Sequence, residues 1–534
     1  MGNQITTLLP LVVVPAFLAR IYYRWQNDFL RKLRGPDSSS FLYGNDIDLI
    51  CQNEVGDCEF KWAREYGNVW RQHGCLGTDR LVVADPEALR YILHVPGYHF
   101  DKRKEVLKFV EMTFGRGLTW ATGETHRRQR GVMNPAFSAP QMRTFLPMFQ
   151  NSASKLVQVL KEEVIAAEPS GQLVVDMIGW LSRTTLDVIG EAGFGFQFGS
   201  LDGLENPLRK QNENLFTGTP LRYGFIIRTI WYYILELPSD PLRYLPTPRY
   251  RRFRRYSAFM RNFSQGIVER SIIEGDGKDV MSVLLRANAS EDPRRTLSDI
   301  EMVDQIATLL FAGHDTTAKS LTWYLYEIAR NPECQERVRA EIAAIRAKKS
   351  GEELSATDLE SMAYTLATIK EGLRLHPIVH TLLKEATQDD VIPLSSPIVT
   401  KSGEQVSSIP VRKGTLVDLA VGVYNRLPEI WGIDANEFKP ERFLDIDKSH
   451  RSNVGVFGNL MTFSSGPSGC IGWRFAVLEM QTIIVTLLEN FEFSLPPQTE
   501  KTRIYRKLAG GLMASVVKGG KGAWMGLVVK SLEE

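Results

Sequence analysis

Residues 463–472 read FSSGPSGCIG, and this stretch decides how the rest of the chain is interpreted. Its cysteine, Cys470, lies in a glycine-rich loop directly before an apolar segment that resembles a helix. A metal-binding thiolate is stabilised by nearby backbone N–H groups and by the positive end of a helix. Gly466 and Gly472 leave room for a flat cofactor, and Phe463 can shield the sulfur from water. The stretch therefore predicts that Cys470 is a metal ligand, and a buried cysteine that opens a core helix is the alternative.

The stretch from residue 298 to residue 329 is predicted to be one long helix. It opens at a Ser298 cap and ends before Pro332. At about 1.5 Å per residue it would span roughly 48 Å, which is enough to cross a whole domain. In its middle, residues 312–317 read AGHDTT, and glycine and threonine are poor residues for a helix interior. This local weakness predicts a functional groove with a bulge or kink, and a packing site against a crossing helix is the alternative.

The two patterns occur together in one known family. The spacing F-x-x-G-x-x-x-C-x-G of the cysteine loop resembles the haem-binding loop of the cytochrome P450 family, and A-G-x-D-T-T resembles its oxygen-activating centre. The resemblance implies a mainly α fold with small β-sheets, in which haem b lies between the long helix and the cysteine loop. It also implies that the thiolate of Cys470 is the proximal iron ligand. On the long helix it implies that Thr316 holds oxygen, Asp315 feeds protons to it, and Ala312 lies beside the haem.

Two further motifs lie between these in the expected order. Glu371 and Arg374 are three residues apart in KEGLRLHP, so a helix places them on one face. The downstream FKPERF supplies Arg442 as a third charged residue. In the family such a cluster braces the segment that leads into the cysteine loop, so we interpret these three residues as structural and not catalytic. Solvated surface charges are the alternative. Four motifs in order make the resemblance specific over residues 35–534.

Three positions depart from the family pattern where the haem propionates are bound. Ser468 stands at a position that is commonly basic, His126 where the family often has tryptophan, and Lys384 where it often has arginine. Arg130, four residues after His126, is in place. A planar arginine makes two parallel bonds to a carboxylate, whereas lysine is a point charge and serine a neutral donor. We expect Arg130, His126 and Lys384 to share the propionates, and an exposed place in the basic run HRRQR is the alternative for His126.

Composition agrees with a folded enzyme. The 534 residues are 43% hydrophobic and 24% charged, and a net charge of +2 gives no reason to expect nucleic acid as a partner. The five cysteines are few and odd in number, which fits a reducing compartment. Length alone would suggest about three domains. Because the motifs must converge on one cofactor, we expect a single catalytic domain over residues 35–534.

Residues 1–34 differ in composition from the rest of the chain. Residues 5–19 carry no charge, and counting on to residue 23 gives about the 17 to 20 residues that span a bilayer. Arg20 and Arg24 follow this stretch, which by the positive-inside rule puts the catalytic domain in the cytosol. We therefore expect residues 1–34 to form a single-pass anchor and basic linker in the endoplasmic reticulum membrane. A cleaved signal peptide is the alternative, but no basic residue precedes the apolar stretch and no A-x-A site follows it.

The resemblance implies a monooxygenase that inserts one atom of O2 into a lipophilic small molecule. Electrons would come from NADPH through a partner flavoprotein reductase, because no nucleotide-binding glycine fingerprint precedes a strand-helix unit in this sequence. Cytochrome b5 is a second candidate donor. The sequence is similar to membrane-bound fungal members, many of which oxidise terpenoids, fatty acids or other secondary metabolites. A haem-thiolate isomerase or dehydratase and a non-catalytic membrane haem protein are the alternatives. Asp315 and Thr316 argue against both, because neither role needs a proton relay.

By the same resemblance, four segments lie over the haem and select the substrate. These segments are mostly apolar, as a pocket for a lipophilic molecule should be, and they comprise residues 109–120, 215–231, 379–383 and 510–513. The aromatic residues within 225–233 are predicted either to enter the bilayer interface or to belong to the core.

Overall fold

The computed structural model of the chain describes residues 29–532. Residues 39, 95–97, 167–171, 205–207, 209–210, 212–225, 228, 235–246, 275–276, 290–295, 350, 445–453, 498, 500–501, 510 and 521 are not described. The predicted membrane segment and most of the predicted segment 215–231 therefore lie outside the described residues. Within residues 29–532, apart from those gaps, the helices are too short or too polar to cross a membrane.

Helices form most of the structure, as the sequence predicted. The α-helices are α1 Asp46–Cys51, α2 Asp57–Tyr66, α3 Pro86–His94, α4 Lys104–Phe114, α5 Gly123–Met133, α6 Ala139–Ala166, α7 Met177–Phe194, α8 Pro248–Glu274, α9 Val280–Asn288, α10 Asp299–Arg330, α11 Pro332–Arg346, α12 Ala356–Ser361, α13 Ala363–Leu375, α14 Val421–Tyr424, α15 Pro428–Trp431 and α16 Trp473–Asn490. Short 3-10 turns cover Phe29–Lys32, Cys75–Gly77, Asn134–Phe137, Pro440–Phe443 and Met461–Phe463, and Thr229–Ile234 forms a π-helix.

The strands form small separate sheets. They are β1 Val69–His73, β2 Asp79–Val83, β3 Phe100–Lys102, β4 Gln172–Asp176, β5 Leu382–Ala386, β6 Asp390–Val399, β7 Gln405–Val411, β8 Leu416–Leu419, β9 Phe491–Ser494, β10 Ile504–Ala509, β11 Leu512–Val517 and β12 Gly526–Ser531. The largest sheet has the order β1-β2-β8-β5-β3, and only its β2–β8 pair is parallel. The other described sheets are β4-β12-β9, β6-β7 and β10-β11. The predicted fold class, mainly α with small β-sheets, is confirmed.

Helix α10 is the long helix that the sequence predicted. The side chain of Ser298 accepts a hydrogen bond from the N–H of Glu301, whose carboxylate accepts one from the N–H of Ser298 at 2.9 Å. This reciprocal capping box satisfies two donors that a helix start leaves unpaired. The helix ends at Arg330, directly before Asn331 and Pro332. Both predicted ends are therefore confirmed to within one residue.

The bulge predicted in the middle of α10 is wrong, because residues 312–317 are α-helical throughout. Gly313 is explained by packing instead. A Cβ atom at this position would lie 2.8 Å from the side chain of Ile189 in α7, so glycine lets the two helices approach. The hydroxyl of Thr317 donates to the carbonyl of Gly313 at 3.1 Å, which satisfies the threonine within its own helix.

Helix α10 runs through both hydrophobic cores of the described structure. Trp323 is buried in one core and Ile306 in the other. Phe311 of α10 and Leu478 of α16 pack against both cores. The segment 312–317 and the helix that follows the cysteine loop therefore meet at the boundary between the two cores.

The N-terminal end of the described chain is packed against the body of the protein. Leu30 and Leu33 are buried, and the N–H of Arg71 donates to the carbonyl of Arg34 at 2.9 Å. Residues 29–34, which the sequence analysis assigned to the basic linker, thus contribute apolar side chains to the core.

Candidate functional site

The cysteine loop leads into the N-terminus of α16, and short backbone bonds fix its shape. The N–H of Cys470 donates to the carbonyl of Phe463 at 2.9 Å, and the N–H of Gly469 donates to that of Gly466 at 3.1 Å. Gly472 is the N-cap residue of α16. The loop therefore holds the sulfur at the positive end of a helix dipole, where negative charge is favoured.

Gly466 occupies a position in the loop that leaves no room for a side chain. Its φ of 65° lies in the left-handed region, and a Cβ atom there would collide with the carbonyl oxygen of Leu93 at the end of α3. The hydroxyl of the adjacent Ser465 lies 2.9 Å from Nε2 of His94. The loop packs directly on the last turn of α3, and this contact requires glycine at position 466.

The surroundings of Cys470 shift the pKa of its thiol in two opposite directions. Burial among the surrounding residues raises the pKa of its thiol. The N–H of Gly472 and the positive charge of Arg130 lower that pKa. Arg130 also donates a hydrogen bond of 2.5 Å to the carbonyl of Gly469. One arginine thus supports both the loop backbone and a negative charge on the sulfur.

Behind the loop, Glu371 and Arg374 of α13 form a buried ion pair that also holds Arg442. The carboxylate of Glu371 accepts hydrogen bonds from Arg374 at 2.7 and 2.8 Å and from Arg442 at 2.8 Å. The side chains of Glu371 and Arg374 are both 0% exposed. Arg374 donates further bonds to the carbonyls of Asn425 and Ala435, at 2.8 and 2.6 Å. The predicted cluster is present, and its burial excludes the alternative of solvated surface charges.

Asn425 joins this ion pair to the cysteine loop. Its amide group donates to the hydroxyl of Thr462 at 3.0 Å, and its side-chain oxygen accepts the N–H of Met461 at 3.0 Å. The hydroxyl of Thr462 in turn donates to the carbonyl of Leu373 at 2.8 Å. Because these residues directly precede Phe463, the buried ion pair fixes the point at which the loop begins.

On helix α10, the three residues singled out by the sequence lie within two turns and are all half-buried. The hydroxyl of Thr316 donates to the carbonyl of Ala312 at 2.6 Å. The carboxylate of Asp315 forms an ion pair with the ammonium group of Lys319, one turn further on. Lys319 is only 6% exposed. It was not predicted from the sequence as part of the site. An i, i+4 charge pair is visible in the sequence, but its burial is not.

The predicted pocket segment 109–120 lies against the first half of α10. The N–H of Arg116 donates to the carboxylate of Asp304 at 2.6 Å, and the N–H of Leu118 donates to the side chain of Gln305 at 2.9 Å. These bonds hold the end of α4 and the following loop beside the helix.

Two further contacts involve the apolar pocket segments. The rings of Phe114 and Phe311 stack with their centres 4.4 Å apart, directly before Ala312 in the chain. The N–H of Met513 donates to the carbonyl of Ile378 at 2.7 Å, which joins the described part of segment 510–513 to the residue directly before segment 379–383.

Four basic residues form a cluster that the sequence analysis found only in part. The register of β3 and β5 places Lys102 directly opposite Lys384, and His126 and Arg130 come from α5. His126 is 3% exposed, so its predicted alternative as an exposed residue is wrong. Burial lowers the pKa of His126 from 6.5 to about 3. The charges of Lys102, Arg130 and Lys384 act in the same direction, so the imidazole is neutral.

The cluster carries more positive than negative charge. Burial lowers the pKa of Lys102 from 10.5 to about 8, with Lys384 acting in the same direction and Asp101 against it. Burial also lowers the pKa of Lys384. The ammonium group of Lys102 donates to the carbonyls of Leu118 and Ala121, at 3.3 and 2.7 Å. Because like charges opposite each other on paired strands repel, this cluster is suited to a ligand with more than one negative charge.

Comparison with known proteins agrees with this geometry. The family model described as Cytochrome P450 matches residues 34–518. The chain is 34% identical to cytochrome P450 monooxygenase 205 of Postia placenta over 526 residues, covering 94% of this chain and 93% of that protein. It is 32% identical to cytochrome P450 monooxygenase claU of Ampulloclitocybe clavipes over 550 residues, covering 100% of this chain and 98% of that protein. The chain therefore belongs to the cytochrome P450 family of haem-thiolate monooxygenases.

Proposed function

We propose that this cytochrome P450 oxidises a lipophilic small molecule, such as a terpenoid, a fatty acid or another secondary metabolite. The observation that carries the proposal is the stacking of Phe114 on Phe311, at 4.4 Å, directly before Ala312. It supports an apolar wall beside Asp315 and Thr316, where a hydrocarbon would be buried with few polar partners. The contact of Ile378 with Met513 supports a second wall made of segments that are also mostly apolar.

The residues of the site fit haem b. When bound, haem supplies the activation of dioxygen, with the thiolate of Cys470 as the iron ligand. Arg130, Lys102 and Lys384 would hold the propionates through their charges, and His126 would act as a neutral N–H donor. Phe463, Gly466 and Gly472 shape the loop around the sulfur. The excess of buried positive charge supports this assignment, because an apolar ligand would leave that charge uncompensated.

On the substrate side, Thr316 and Asp315 are proposed to be the catalytic residues. The hydroxyl of Thr316 points its proton at the carbonyl of Ala312, so its oxygen is free to accept a second hydrogen bond. A hydroxyl in this arrangement can pass a proton from one side to the other. Asp315 lies next to it on the helix, and its side chain is 23% exposed, which lets it exchange protons with water.

We also propose that residues 1–34 anchor the protein in the endoplasmic reticulum membrane, with the catalytic domain in the cytosol. The uncharged stretch 5–19 and the basic residues after it support this arrangement. Electrons are proposed to come from NADPH through a flavoprotein reductase, with cytochrome b5 as a second donor. The absence of a nucleotide-binding fingerprint from the sequence supports a separate reductase.

A reconstituted assay tests the proposed function. The full-length protein is combined with an NADPH-dependent P450 reductase and screened against terpenoids, fatty acids and other lipophilic metabolites. We expect at least one compound to give NADPH and O2 consumption together with a product that is heavier by one oxygen atom. Conversion of a lipid peroxide without NADPH would instead support the isomerase or dehydratase alternative. Haem binding with no turnover of either kind would support a non-catalytic haem protein.

A further inference from the structure

Glu479 is a buried acid that none of the proposed roles uses. It lies on α16, the helix that begins directly after the cysteine loop, and its exposure is 0%. Neither of its carboxyl oxygens has a hydrogen-bond partner among the described residues. An ionised carboxylate in this position would be severely desolvated, so the group needs a physical explanation.

The polar group that faces Glu479 is the hydroxyl of Thr317 on α10. Burial raises the pKa of Glu479 well above 4.5, and the hydroxyl of Thr317 acts in the opposite direction. Because the group is fully buried and no cation is paired with it among the described residues, the neutral, protonated form is strongly favoured. A protonated carboxyl carries one O–H donor, which must find an acceptor to offset its burial.

Thr317 is able to accept that hydrogen bond. Its own proton is directed at the carbonyl of Gly313, at 3.1 Å, so the lone pairs of its oxygen remain available. A small rotation of the carboxyl group would complete a chain from Glu479 to Thr317 to the Gly313 carbonyl. Each donor in this chain would have an acceptor, and each link would strengthen the next.

We propose that Glu479 acts as a neutral carboxylic acid that donates to Thr317 and so positions the segment 312–317 of α10 against α16. The proposal rests on the proposed function, because it assigns Glu479 to the positioning of Thr316. It makes Glu479 a polar link between the helix that follows the thiolate ligand and the helix that carries the proton-transfer residues. Such a link would fix the distance between the two sides of the haem more precisely than apolar contacts do.

A purely structural role makes a different prediction. A buried acid with unsatisfied oxygens is less stable than an apolar side chain of similar size. If Glu479 only fills space, Glu479→Met should stabilise the fold and leave catalysis unchanged. If Glu479 positions Thr316, the same variant should retain haem and remain folded, yet lose the coupling of electron use to product formation.

Infrared spectroscopy tests the protonation state without turnover. The haem-loaded wild type at pH 7 is compared with Glu479→Gln in the region of the C=O stretch of protonated carboxylic acids. Gln481→Leu is the matched control, because Gln481 is buried on the same helix but donates to the carbonyl of Leu359 in α12. We expect one band to be missing from Glu479→Gln and present in the wild type and Gln481→Leu. Identical spectra for all three proteins would overturn the proposal.

Coupling measurements test the positioning role. With a substrate from the screen, we expect the hydrogen peroxide released per NADPH to rise roughly threefold or more in Glu479→Met. Glu479→Gln should restore most of the coupling, because its amide donates to Thr317 in the same way, and Gln481→Leu should match the wild type. Wild-type coupling in Glu479→Met would overturn the proposal. A wild type that consumes no NADPH would instead contradict the proposed function, while the infrared result would still decide whether Glu479 is protonated.

Discussion

Lys102 and Lys384 face each other directly across the antiparallel pair β3 and β5, with their ammonium groups largely withdrawn from water. Burial of these two charges, with a smaller contribution from their repulsion, destabilises the haem-free protein, and an anionic ligand between them would relieve both effects. If these lysines bind the haem propionates as proposed, the site favours haem binding and lowers the stability of the haem-free fold.

Lys102→Met should stabilise the haem-free protein and weaken its hold on haem. The pKa of Lys102 falls from 10.5 to about 8 on folding, so the folded state binds this proton less tightly and is penalised at neutral pH. We expect the variant to unfold with a free energy about 1–2 kcal/mol higher at pH 7. The difference should shrink as pH rises from about 8 to 10.5, where wild-type lysine also deprotonates in the unfolded chain.

Denaturant titration of the haem-free proteins across this pH range measures the effect. Lys348→Met is the control, because Lys348 is exposed and distant from the cluster in sequence. A gap between wild type and Lys102→Met that stays constant with pH would contradict the electrostatic explanation.

Combining His126→Ala with Lys384→Ala should lower haem retention more than either change alone. Lys384 supplies a charge and His126 a neutral donor, so the two losses affect different hydrogen bonds of the propionates. The ratio of haem absorbance to protein after gel filtration measures retention. Equal ratios in the double variant and both single variants would show that other residues hold the propionates.

Cys470→Ser should abolish the spectral signature of a thiolate ligand. A hydroxyl oxygen donates less electron density to iron than sulfur does, which shifts the absorbance of the reduced carbon monoxide complex. Cys51→Ser is the control, since Cys51 is an exposed free cysteine at the end of α1. The assignment of the ligand fails if Cys470→Ala retains the red-shifted thiolate band.

Thr316→Val should uncouple NADPH consumption from product formation and leave haem content unchanged. Valine keeps the β-branched shape but removes the hydroxyl that is proposed to transfer a proton. Thr322→Val is the matched control, because the Thr322 hydroxyl makes the same kind of bond, to the Ala318 carbonyl at 2.7 Å. NADPH used, peroxide released and product formed are counted together. Fully coupled turnover by Thr316→Val would remove Thr316 from the mechanism.

Glu371→Gln should destabilise the protein by roughly 3–5 kcal/mol, because it leaves the buried charge of Arg374 uncompensated and leaves Arg442 with Asp434 as its carboxylate partner. Glu336→Gln should cost less than about 1 kcal/mol, since Glu336 pairs with Arg339 at the surface, with its own side chain 72% exposed. Chemical denaturation of the two purified variants compares these costs. Similar midpoints for both would show that the buried cluster contributes no more than a surface pair.

The features that the sequence predicted well depend on neighbouring residues. The start of α10 follows from Ser298 and Glu301, three residues apart, and its end follows from Pro332. Lys102 was missed because its partner Lys384 lies on a different strand, and only the register of β3 and β5 brings the two together. Glu479 was missed for a similar reason, since nothing in an apolar helix sequence reveals whether an acid faces water.

The predicted bulge is absent from α10 because packing compensates for a weak helix residue. Gly313 weakens a helix in isolation, but in the folded protein it admits Ile189 of α7. Packing against a helix that is distant in the sequence therefore outweighs the low helix propensity of glycine. Helix propensity alone does not describe such packing.

The buried ion pair of Glu371 and Arg374 also has a consequence for local unfolding. Arg374 binds the carbonyls of Asn425 and Ala435, and Arg442 binds Glu371, so no one of these segments can separate without exposing a charge to an apolar interior. Helix α13 and residues 425–442 should then open as one cooperative unit. In native-state hydrogen exchange their protected amides would share a single opening free energy, although Arg374 and Asn425 lie 51 positions apart in the sequence.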